Sequence, residues 1–168
     1  MITSTDILFL LSGGAANSDT DASLGGVVSS TEIVDDTVNN LFALAGAAEA
    51  DAGSVKYRGF FVKNDHATLT LTAPKIYISS NTTSPTTAVT VALASETGSP
   101  MDTIADEDTA PDPAVTFVTA VDFDNGLSLG DLAPGEVKGV WVKWTVDAST
   151  DAIEDAMTFT VKGETEAS

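Results

Sequence analysis

Cysteine is absent from the 168 residues, so neither disulfides nor thiolate metal sites hold this chain together. Histidine occurs once, at His66, which excludes a zinc site built on several imidazoles and leaves any serine triad a single base to draw on. His66 sits in a tight polar stretch without a nucleophile-elbow pattern, and a turn role is expected for it. Aromatic residues make up 7% of the chain, thin for a sugar-cleaving groove that must stack rings on its substrate. Long apolar runs are also missing. The longest near the start, residues 7–11, falls far short of the roughly 18 residues that a membrane span requires. No positive charge precedes that run and a Gly, Ala and Ser tract follows it, so the pattern of a signal peptide is not expected.

Basic residues are scarce, 7 against 25 acids, for a formal net charge of −18. Their placement matters more than their number, because residues 1–55 and 76–137 contain no Lys or Arg at all. Such a field repels phosphate backbones and anionic lipid, which disfavours nucleic-acid and membrane-surface partners. It suits a solubilising surface, or a salty medium in which screening shortens the range of self-repulsion.

What is present favours strands. Val and Thr are abundant, and Gly and Pro punctuate the chain at short intervals. Short apolar runs bounded by turn residues predict strands at 55–63, 68–71, 75–79, 89–94, 115–119, 137–146 and 157–162. Alternation is clearest where Val140, Val142, Trp144 and Val146 face one way and Trp141, Lys143 and Thr145 the other. Two turns frame these strands, Asn64-Asp65-His66 and Ala133-Pro134-Gly135-Glu136. In the second, Pro then Gly suits the two central positions of a type II turn. The run from Leu127 to Glu136 resembles the strand and turn before the penultimate strand of many immunoglobulin-like modules.

The first 52 residues read differently, as an N-terminal arm and connecting segment ahead of a β-sandwich domain at 53–168. Apolar spacing at Ile33, Val34, Val38, Leu41, Phe42 and Ala45, with Ser29 and Glu32 placed as a capping box, allows one short helix. Asn39-Asn40, Gly46 and the β-branched Val38 argue for an extended segment instead. The paired glycines Gly13-Gly14 and Gly25-Gly26 mark turns, and no Lys-Ser/Thr follows them as a phosphate loop would need.

Candidate chemistry is sparse. The acidic stretch with Asp102, Asp106, Glu107, Asp108 and Asp112 offers oxygen ligands of the kind Ca²⁺ prefers, but without the glycine-containing twelve-residue pattern. Among 25 acids some carboxylate pair falls close by chance, so no catalytic residue, metal ligand or cofactor is assigned. A different set of residues is expected to serve assembly. Ile7, Leu8, Phe9, Leu10 and Leu11 would form an exposed edge strand unless they pair with another copy's sheet or belong to their own. Lys56, Arg58 and Lys143 could meet a neighbouring copy's acidic arm, and Trp141 is a candidate for a buried interface or packed edge.

Two blocks resemble those of small structural proteins of tailed bacteriophages. The first is Leu11-Ser12-Gly13-Gly14-Ala15-Ala16-Asn17 with Ala22-Ser23-Leu24-Gly25-Gly26. The second joins Asn40-Leu41-Phe42, the segment 49–53, Tyr57-Arg58, Phe61-Val62-Lys63-Asn64 and His66-Ala67-Thr68-Leu69-Thr70-Leu71. The resemblance implies an all-β, immunoglobulin-like antiparallel sandwich of about seven strands. It implies a non-catalytic virion component, assembled in the host cytoplasm in many copies, on the capsid exterior as decoration or in the tail or baseplate. Its partners would be other copies of itself and other virion structural proteins, with no nucleic acid and no membrane. An extracellular adhesin or surface-layer module of the same architecture is the alternative.

Overall fold

In the computed structural model, which describes residues 1–149 and 155–165, the chain is all-β and antiparallel. Its elements are β1 (Ile7–Leu11), β2 (Gly25–Gly26), α1 (Ala47–Ala52), β3 (Ser54–Asn64), β4 (Leu71–Ser80), β5 (Thr87–Leu93), β6 (Met101–Thr103), β7 (Leu127–Ser128), β8 (Val137–Val146) and β9 (Thr158–Thr165). A four-stranded sheet has the order β1-β3-β8-β5 and a three-stranded sheet the order β7-β4-β9, while β2 and β6 pair as a separate ribbon.

The two larger sheets enclose the main core. Phe60 and Val62 of β3, Val140 and Val142 of β8 and Val89 and Val91 of β5 pack against Ile76 and Ile78 of β4, with Phe159 and Val161 of β9 beside them. In strands, period-two alternation then sends the intervening residues to the far side of the four-stranded sheet. That face is buried as well. Phe61, Trp141 and Ala92 form a second cluster there with Leu10, Met101 and Ile104, closed over by Leu24, Val28, Val115 and Phe117. A sheet covered on both faces reads as a continuous apolar run instead of an alternating one, which is why β1 is Ile-Leu-Phe-Leu-Leu.

The N-terminal segment is therefore part of the fold, contrary to its expected separation as an arm. β1 pairs with β3 from Ile7↔Asn64 to Leu11↔Phe60, sending Ile7 and Phe9 to the main core and Leu8 and Leu10 to the second cluster. Backbone bonds from residues 29–33 cover its other edge, with Leu11 N donating to Thr31 O and Ile33 N to Phe9 O. Beyond Leu11 the chain turns back across the sheet, held by Ser12, whose hydroxyl donates to Gly59 O and accepts from Gly25 N. Gly25 has φ +90 and lies so near β6 that a Cβ would stand 1.9 Å from the Asp102 carbonyl oxygen. No other residue fits there.

Strand predictions at 55–63, 89–94, 137–146 and 157–162 correspond to β3, β5, β8 and β9. Those at 68–71 and 75–79 are corrected. A single β4 starts at Leu71, and the preceding loop takes its bonds from side chains, Asn64 Nδ2 donating to Leu69 O and His66 Nδ1 accepting from Leu69 N. The stretch 115–119 is no strand; it touches β5 through one bridge, Val91↔Val118, while Val115 and Phe117 cover the second cluster. The helix allowed by the Ser29/Glu32 cap and the apolar spacing at 33–45 does not form, since Asp36 (φ 54) and Asn39 (φ 61) take left-handed conformations that no helix accommodates; α1 begins only after that stretch, at Ala47. The Pro134-Gly135 turn is as expected, with Gly135 at φ +80 and Glu136 N bonded to Ala133 O.

Candidate assembly surface

The nine residues expected to serve assembly do not form one surface. β1 is built into its own sheet as above. Trp141 is 1% exposed at the centre of the second cluster, on the face opposite Trp144 as the alternation required, but covered by the chain's own loops. Lys143 lies on that same face, half-buried, with its ammonium 5.3 Å from the Phe117 ring.

Lys56 and Arg58 are corrected most sharply. They share the face of β3 that carries Phe60 and Val62, and they are 3% and 1% exposed. Counter-charges come from this same chain. Lys56 Nζ meets Glu49 of α1 at 2.8 Å and Glu107 at 2.9 Å; Arg58 donates to Asp21 at 2.8 Å and, in a short contact, to Glu107. The Arg58 guanidinium also lies 5.6 Å from the Phe42 ring, which in turn packs on Trp144. Charge buried at the end of a core requires such pairing. The cluster joins the N-terminal segment, α1, β3 and the acidic loop, because β3 outruns β1 and leaves the Tyr57 and Gly59 N–H groups to Glu107 O and Ser23 O. Lys56 is held above its ordinary value: burial pulls it down, but the bonds to Glu49 and Glu107 outweigh that. Glu49 is held low, first by Lys56 and then by the Gly46 N–H.

His66 has the turn role expected of it, accepting at Nδ1 from Thr68 N and Leu69 N, which leaves the ring proton on Nε2. In the acidic stretch, Glu107 is committed to the cation cluster and Asp106 accepts from the Thr109 hydroxyl. No group of three or more potential metal ligands occurs among the described residues. One carboxylate pair does form, Glu96 with Asp102. Its interaction with Glu96, together with burial, raises the Asp102 carboxyl above its ordinary value. Nearby, burial depresses Lys138, whose ammonium donates to the Ala94 and Glu96 carbonyls.

A surface that the sequence did not flag lies where β9 approaches the β1 edge. A cavity of about 300 Å³ opens there, walled by Phe9, Ile33, Leu41, Phe60, Met157 and Phe159 and rimmed by Asp35, Asp36 and Asn40. The adjoining loop carries Val34, Val38 and Leu44, each more than 60% exposed. The available signal was the apolar spacing within 33–45, which fits a helix pattern but here marks a loop. Comparison of the chain with family models, with curated proteins and with solved structures finds no match.

Proposed function

We propose that the chain is a non-catalytic structural component of a tailed-phage virion, present in many copies on the capsid exterior or in the tail or baseplate, with an immunoglobulin-like sandwich as its scaffold. The observation that carries this reading is where the resemblance blocks fall: their polar residues are engaged in holding the fold together. Ser12 ties the first block to β3, and Asn17 Nδ2 donates to Ser12 O and Asp19 O. Arg58 of the second block anchors the ion cluster, and Asn64 Nδ2 donates to Leu69 O and Leu132 O. A motif whose side chains brace the architecture suits a particle component better than a reaction centre. The strong negative charge keeps such a component off the packaged nucleic acid.

Quantitative mass spectrometry of gradient-purified particles tests this. A structural component is found in fixed ratio to the major capsid protein; recovery from the cell envelope instead supports the adhesin or surface-layer alternative.

A further inference from the structure

Among the described residues, the outer edges of β1 and β5 are closed and that of β9 is not. The outer edge of β1 is bonded to residues 29–33. That of β5 is closed by the Asn81 side chain, which donates to Val89 O and accepts from Val89 N, and by Val118, which exchanges both backbone bonds with Val91. β9 is bonded along one side to β4; among the described residues its other side makes no backbone bond to any element. An eight-residue edge left open is a template for another strand. Its first half, Thr158 to Val161, bears no charge to deter pairing. Immediately beside it lies the groove floored by Phe9, Ile33 and Met157, with Asp35 and Asp36 on its rim.

We propose that β9 and this groove receive one extended strand from a different polypeptide. Its alternate side chains are apolar and enter the groove, and it carries Lys or Arg opposite Asp35 and Asp36. Backbone pairing with β9 supplies the affinity and the groove and carboxylates supply the selectivity, as in other strand additions. A second copy of this chain is the poorer occupant because its bases are already engaged. Lys56 and Arg58 are in the ion cluster, Lys63 is paired with Asp65, Lys138 holds carbonyls, and Lys75, Lys143 and Lys162 lie over Phe rings. Two chains of formal charge −18 also repel.

This inference deepens the assembly reading, and rests on it for the existence of a partner, but is tested apart from any particle. The full chain is titrated with a synthetic peptide of about ten residues alternating Val and Thr, with a Lys at each end, and with its counterpart carrying Glu at each end. Binding and backbone hydrogen exchange are both followed. The Lys peptide is expected to bind at least about tenfold more tightly at low salt and to slow exchange at 158–161. In an Asp35→Lys, Asp36→Asn variant that preference is lost or reversed; Asn is chosen at 36 because it tolerates the positive φ. Equal affinity for the two peptides, binding of neither, or protection in the free protein of the 158–161 amides that do not bond β4 would each overturn the proposal. Self-association that protects the same amides would also overturn it, by identifying a second copy as the occupant. Absence of the chain from purified particles would defeat the assembly reading and leave the peptide result standing.

Discussion

Removing Glu107 is expected to cost more than removing the arginine it binds, although the two form one ion pair. The reason is where water can return. Lys56 and Arg58 side chains are 4% and 1% exposed, whereas Glu107, Glu49 and Asp21 are 28%, 39% and 60% exposed. Glu107→Ala leaves two buried cations with one partly solvated carboxylate each. Breaking a buried pair in this way costs about 3 to 5 kcal/mol, and the surviving partners place the expected value near 3. Arg58→Met leaves carboxylates that rehydrate, and the Met stem packs where the guanidinium lay over Phe42. The losses are the bond to Tyr57 O and the ring contact, together about 1 kcal/mol. In urea, with a slope of about 2 kcal/mol/M, these values separate the midpoints by about 1 M. In the double variant Glu107→Ala should cost about 1 kcal/mol less than alone, since only the Lys56 pair then remains to be broken. An Arg58→Met loss equal to or above that of Glu107→Ala would mean that the buried cations do not depend on Glu107.

Three further outcomes are expected. Trp141→Ala should lower stability by about 3 to 5 kcal/mol in urea melts of the isolated chain, since the indole is buried without any partner; a neutral result would mean the second cluster is not core. Gly25→Ala should prevent the β2–β6 pairing, because both its φ and the Asp102 carbonyl oppose a Cβ, and near-wild-type melting would contradict that clash. Asp155→Asn should cost about 1 to 2 kcal/mol at neutral pH. Burial raises this carboxyl, but bonds from Thr87, Thr83 and Ser84 outweigh it and hold it below 3.8. A depressed acid contributes stability present above the unfolded value and lost as pH falls through the folded one, so the gap between the proteins should begin to narrow below 3.8 and close only once pH is below the folded value; a gap that stays constant throughout acid titration would contradict the assignment.

How far the fold was legible follows from burial. β8 could be bounded from its alternation, and β3 and β8 from the turns at Asn64 and Pro134-Gly135 that frame them. The second cluster was hidden because its cover comes from loops, each offering one or two apolar residues such as Leu24, Ile104 or Phe117 without any period. That concealment made Trp141 look available to a partner. For Lys56 and Arg58 a signal did exist: both are in phase with Phe60 and Val62, which places them on the core face and demands counter-charges. Which acids answer could not be read, since Asp21 and Glu107 lie 37 and 49 residues from Arg58. The closing of β5 by Asn81 was equally invisible, as it depends on one amide reaching a backbone eight residues away.

As proposed above, this chain is a repeated part of a particle. Reconstruction of purified particles tests it most directly, with the two-sheet fold sought in the density. This sandwich is expected at symmetry-related positions on the head or tail, with β9 and the groove beside it against a neighbouring protein. Particles that are complete and infectious with no density for this fold would contradict it.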